Sequence, residues 1–244
     1  MKHLAKLLLL PLCLICGCIE ASQDPVDYQA VAVPHGDGTA TVSGWTVSLT
    51  RADVALGPFY FCAAASGSST LCASSIAEVA NVGLVDALAH APVPIGVVHG
   101  FTGNIQSGSY DFGISWFDTQ IEPTPAPALP GGHSMRLEGQ ASKGTVTIPF
   151  TADVDVVPQY QGQNAISTAP ALATVRSDAT RLEISFDPTV WLKQLDFDVV
   201  AASVATTGRL PFVISPGMPE HTAILVGLKN LSPPEFRWVD TAHP

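Results

Sequence analysis

The chain has 244 residues, 47% of them hydrophobic and only 13% charged, with 11 basic against 21 acidic residues and a net charge of −10. That is enough chain for one sizeable core, and it is too apolar for disorder. No Lys/Arg-rich run interrupts the acidity, which excludes nucleic acid and anionic surfaces as electrostatic partners, and the only long apolar run is at the start, which excludes a polytopic membrane protein.

The first 17 residues carry Lys2 and Lys6, then the apolar run Leu7-Leu8-Leu9-Leu10-Pro11-Leu12, then Leu14-Ile15-Cys16-Gly17-Cys18. The apolar part is too short to span a bilayer and reads as an export signal. Ile15-Cys16-Gly17-Cys18 resembles the lipobox of bacterial lipoproteins, with an aliphatic residue three before the cysteine and a small one just before it. The resemblance implies cleavage after Gly17, lipidation of Cys18 and a membrane partner reached through that lipid. Ile19 follows, not the Asp that retains many lipoproteins in the inner membrane, so the outer membrane is expected. Loss of the two lysines leaves nine basic against 21 acidic residues. Residues 18–30 are polar and turn-rich and are expected to form a tether, with one domain over 31–244. Of the five cysteines, Cys62 and Cys72 then remain as one pair, which in an oxidising compartment reads as a disulfide. Closing a loop of that size contributes about 3 kcal/mol in the chain-entropy description.

Beyond the tether the dominant period is two. Strands are expected over Thr41 to Arg51, Val54 to Cys62, Val93 to Ile105, Tyr110 to Trp116, His133 to Gln140, Thr145 to Val156, Arg181 to Phe186 and Ala223 to Leu228. In Thr145 to Val156, Val146, Ile148, Phe150, Ala152, Val154 and Val156 face inward, and Asp153 and Asp155 face water. Between Tyr110 and Trp116 the same alternation turns Asp111, Gly113 and Ser115 away from Tyr110, Phe112 and Ile114. One helix is expected after Asp187-Pro188, with Trp191, Leu192, Leu195 and Val199 as its apolar stripe, and a short second one near Ser74 to Asn81. The Pro-rich stretch 122–132 and Gln159 to Pro170 are expected as long loops. Eight or nine alternating strands with no repeating βα unit argue for an all-β antiparallel sandwich.

There is no Gly-x-Ser-x-Gly, His-Glu-x-x-His, phosphate loop or Gly-x-Gly-x-x-Gly, so no catalytic residue is assigned. Asp153/Asp155 and Asp196/Asp198 could serve a carboxylate-dependent hydrolase, but alternation explains the first pair as surface residues. Imidazoles from separate strands can converge on copper or zinc, and His99, His133 and His221 are the candidate ligands. Met135 and Met218 could add soft ligands, although Met135 continues a strand alternation and reads as core. Trp116 and Trp191 also fit inward stripes, whereas Tyr160, among amides in the loop from Pro158 to Asn164, reads as a ligand contact. With the blocks Leu56-Gly57-Pro58-Phe59-Tyr60-Phe61-Cys62 and Ser109-Tyr110-Asp111-Phe112-Gly113, the chain is similar to exported lipoproteins of Gram-negative envelopes. A binding or structural role is expected, with an envelope protein or a small ligand as partner. Metal binding or delivery and carboxylate hydrolysis are the alternatives.

Overall fold

A computed structural model describes residues 23–65, 75–231 and 233–240. The chain runs through β1 (Pro25–Pro34), β2 (Thr39–Val42), β3 (Trp45–Leu56), β4 (Phe59–Cys62), β5 (Ser75–Val79), β6 (Gly83–Asp86), β7 (Val93–Phe101) and β8 (Gly103–Tyr110). It continues through β9 (Ile114–Ser115), β10 (Thr124–Pro125), β11 (Met135–Lys143), β12 (Val146–Val154), β13 (Ile166–Val175), β14 (Ala179–Phe186), α1 (Phe197–Thr207), β15 (Phe212–Ile214), α2 (Pro219–Val226) and β16 (Glu235–Asp240). The fold is all-β, as the alternation predicts. It holds more and shorter strands than expected, because glycine and turn residues cut the predicted runs.

Eight strands form one sheet in the order β13-β8-β4-β5-β7-β1-β14-β16. A second sheet has the order β15-β12-β11-β3-β2, with β6 also pairing β3. Both are mixed, since β1 with β14 and β12 with β15 run parallel among otherwise antiparallel pairs. The eight-stranded sheet curls nearly into a barrel. Phe61 on β4 meets Phe236 and Trp238 on the last strand edge-on, with ring centroids 5.1 Å apart in each case. Such contacts between the third strand and the eighth require a strongly coiled sheet, as the right-handed twist of strands allows. Buried residues of both sheets join one connected cluster, so the Pro-rich segment does not divide the core.

Local chemistry explains the boundaries. Ser43 and Gly44, with φ of 48° and 81°, make the two-residue turn between β2 and β3 where alternation alone predicts a single strand. Gly57 ends β3 with φ of 106°, and a Cβ there would lie 2.4 Å from the Asn81 carbonyl oxygen. Asp187 caps only a 3-10 turn, Pro188–Leu192, through the Thr189 N–H at 2.9 Å. The expected helix is therefore two elements. Trp191, Leu192 and Leu195 are buried as predicted, but Val199 belongs to α1 and is 53% exposed. Asp196 caps α1 by accepting from the Asp198 and Val199 N–H groups.

Two segments take the other secondary structure. Residues 75–79 form a strand, not a helix, because Ala77 and Val79 bury on period two between β4 and β7. Residues 223–226 are helical, not extended. Pro219 starts α2, and His221, Ile224 and Leu228 bury at helical spacing. The domain also begins earlier than expected, since β1 takes up residues from Pro25 onward that polarity alone places in the tether. The signal, Cys18 and Cys72 lie outside the described residues. Cys62 ends β4 and is buried. No described helix is long and apolar enough to cross a membrane.

Candidate functional site

The site is built where β8 ends. Asp111 follows Tyr110, and backbone bonds hold it in place: its N–H donates to the Pro58 carbonyl at 3.1 Å and its carbonyl accepts from Gly57 at 3.0 Å. The loop 159–165 closes over it. Gly162 donates to the Trp116 carbonyl at 2.7 Å, and the Gln161 amide donates to the carbonyls of Asp118 and Gln120 at 2.8 and 2.7 Å. Gly162 has φ of +73°, and a Cβ there would collide with the Asp118 carboxylate, so this docking requires glycine.

Under that loop Asp111 is 1% exposed. Its Oδ1 accepts from the Ala165 N–H at 2.6 Å and its Oδ2 from Asn164 Nδ2 at 3.0 Å. Burial pushes its carboxyl up to about 6, against the opposing effects of Ala165, Asn164, the Ser115 hydroxyl and the charge of Lys229. Lys229, half-buried in the turn after α2, donates to the Val157 carbonyl at 3.2 Å. Burial pulls its ammonium below the usual lysine range, and the Asp111 charge works the other way. Asn164 is 5% exposed, and its Oδ1 has no hydrogen-bond partner.

Above this buried cluster opens a pocket of about 300 Å³, lined by Gln159, Gln163, Asn164, the start of β13 and Lys229. The lining offers amides, the hydroxyls of Ser167 and Thr168 and one ammonium, and it contains no carboxylate. That is donor and acceptor chemistry for holding a small polar molecule. A larger hollow of about 600 Å³ lies between β1, β5 and β7, with Asp27, Glu78 and His99 in its lining. Its Asp27 and His99 side chains are 72% and 57% exposed, so their 3.4 Å pair is weak in water.

The three predicted histidines are divided. His99 stands on β7 beside Asp27. His133 follows the 3-10 turn Pro130–Gly132 and stands two residues ahead of β11, not at its start as expected, with Nδ1 3.2 Å from both Asp155 oxygens. His221 is buried in α2 with Nε2 unpartnered, and burial lowers its pKa against the charge of Asp155. His133 and His221 thus both neighbour Asp155, while His99 belongs to another sheet. Among the described residues no three His, Cys, Asp or Glu side chains are grouped so as to hold a metal ion. Met135 is core, and Met218 Sδ accepts from the Ser215 N–H.

Asp153 pairs with Arg136 and Asp198 with Lys143 at the surface, and Asp196 is spent on its cap. Tyr160 is 57% exposed and accepts from the Gln159 amide at 3.0 Å, so it stands at the rim and not in the pocket wall. Motif and alternation do not single out Asp111, Asn164 or Lys229 as site residues. A signal exists for two of them. Asp111 is the one Asp, Glu, Lys or Arg between Asp86 and Asp118, and Lys229 is the one Lys or Arg between Arg209 and Arg237. A lone charge in an uncharged stretch, as at Asp111, or a lone cation, as at Lys229, has a specific environment or a large cost when buried. Comparison with protein-family models, curated proteins and solved structures finds no match.

Proposed function

We propose that this protein is a lipid-anchored binding module of the bacterial envelope, and that its pocket at residues 159–168 takes a small hydroxyl-bearing ligand such as a sugar or polyol. One observation carries the ligand class: the pocket is lined by amide and hydroxyl side chains and one ammonium, Lys229, with no carboxylate among them. A hydroxyl group suits such a lining, since it donates to amide oxygens and accepts from an ammonium or an amide NH2. The amides of Gln159 and Gln163 and the hydroxyls of Ser167 and Thr168 extend the same chemistry around the rim. Exposed Tyr160 beside Gln159 offers a face for stacking.

The pocket is at the small end of ligand sites, which suits one or two sugar rings. Its polar groups sit on a loop pinned to the sheet, so little ordering entropy opposes binding. The test is a calorimetric and NMR titration with monosaccharides, disaccharides and linear polyols as probes. At least one probe is expected to shift amide signals within 159–168, and Lys229→Met is expected to weaken that probe roughly 10-fold, the worth of one hydrogen bond to a charged group. If no probe moves those signals, the ligand reading fails and a structural role remains.

A further inference from the structure

The contact between Asp111 and Asn164 leaves one atom out. While the carboxyl is ionised, both its oxygens accept, one from the Ala165 N–H and the other from Asn164 Nδ2. The far end of the same amide, Asn164 Oδ1, is buried without a partner. A proton on Asp111 alters this fit, because a carboxylic acid carries an O–H donor. A proton on the oxygen that faces Nδ2 sets two donors against one another, and reversal of the amide relieves this where the rotatable Ser115 hydroxyl does not take the proton. Rotation of the amide about its terminal bond brings Oδ1 to that proton and moves Nδ2 to the buried place that Oδ1 held.

We propose that Asp111 and Asn164 form a proton-operated switch in the pocket wall, in which uptake of one proton by Asp111 reverses the Asn164 amide. The switch regulates the pocket and rests on the reading of that pocket as a ligand site. With Asp111 ionised, the end of the amide turned away from the carboxyl is an acceptor. With Asp111 protonated, that end is an NH2 donor, so the polarity of the Asn164 side chain under the pocket is reversed. Ala165 keeps its bond in both states, so the loop stays docked while the chemistry of its wall changes.

The groups around Asp111 set where the switch operates. Lys229, from the turn after α2, favours the carboxylate. Tyr60 on β4 stays neutral, its hydroxyl pushed up to about 12 by burial and by the charges of Glu78 and Asp111. Ser115 on β9, Asn164 and Ala165 are uncharged donors to the carboxylate. Burial outweighs them, and half-protonation falls at about 6.

The test needs no ligand, so it can fail while the sugar titration succeeds, and the reverse. The intact protein, labelled with 15N and 13C, is titrated by NMR from about pH 4 to about pH 8, a range that brackets the transition. The Asp111 carboxyl carbon, the Ala165 amide and the Asn164 side-chain NH2 are expected to move together through one single-proton transition. Asp111→Asn, whose amide can donate to Asn164 Oδ1 as the acid does, is expected to hold the acid-side Asn164 signals at every pH. A titrating carboxyl with a stationary Asn164 NH2 overturns the switch, as does a surviving transition in Asp111→Asn. Should that variant not fold, Lys229→Met probes the same coupling. Removing the cation moves all three signals to a higher midpoint together, and signals that separate overturn the proposal.

Discussion

A carboxyl as deeply buried as Asp111 affects stability whatever the pocket binds. Its folded pKa lies above the unfolded value, so the folded chain holds the proton longer. Its stabilising contribution is therefore complete below about pH 4 and is lost as pH rises through about 6. A shift of this size corresponds to about 3 kcal/mol over that window. We expect the difference in urea-unfolding free energy between Asp111→Asn and the parent to grow in favour of the variant as pH rises from about 4 to 7. Identical pH slopes in the two proteins would show that the carboxyl is not desolvated in the folded state. The same side chain shows what alternation misses. Tyr110 and Phe112 do turn inward, but Asp111 between them is buried as well, because the loop 159–165 covers the other face.

At the scale of the element, β16 is held at one end of the eight-stranded sheet. It is the last strand in the order of that sheet, and among the described residues it pairs with β14 alone. Glu183 on β14 lies opposite Arg237 and is bridged by both Arg237 and Arg181. Burial alone would raise the Glu183 carboxyl, but the two guanidiniums outweigh it and hold it below the usual range. The arginine side chains are 43% and 61% exposed, which limits the bridge to about 1–2 kcal/mol. A depressed carboxyl stabilises above its unfolded pKa and stops doing so as pH falls through the folded one. Glu183→Gln is therefore expected to cost about that amount near neutral pH and almost nothing in acid, read by urea unfolding. An equal cost at both pH values would assign the loss to packing. The aromatic contacts of Phe236 and Trp238 with Phe61 would then be what holds β16 in place.

At the scale of the whole molecule, the proposed anchor and the fold constrain each other. β1 starts at Pro25, seven residues beyond Cys18. Seven extended residues reach at most about 25 Å, so a lipid on Cys18 would keep the sheets close to the bilayer. Cleaved ahead of Cys18, the chain would carry 21 acidic and nine basic residues and gain no attraction from anionic headgroups, which leaves the lipid as the holding force. Cys18→Ala is expected to abolish incorporation of a labelled fatty acid and to move the protein from the membrane fraction to the soluble one. Unchanged membrane retention without label would refute lipidation and point to a protein partner.

What the sequence determined by itself is what short-range pattern can carry. The period-two runs made the chain all-β, and most of their apolar residues are the ones buried, from Trp45 and Val47 to Ile148, Phe150 and Leu182. Asp187 and Pro188 marked a helical start correctly because a cap is local. The tertiary structure decided the rest. It made 75–79 a strand by placing them between β4 and β7, and 219–226 a helix by burying one of its faces. It curled one sheet until β4 met β16, and it put His133 and His221 beside Asp155 while leaving His99 elsewhere. The pocket and the buried cluster beneath it join Asn164, Lys229 and Asp111 from three distant segments. Alternation reports which residues share a face. Whether that face meets water depends on which distant strand or loop covers it, and only the folded chain decides that.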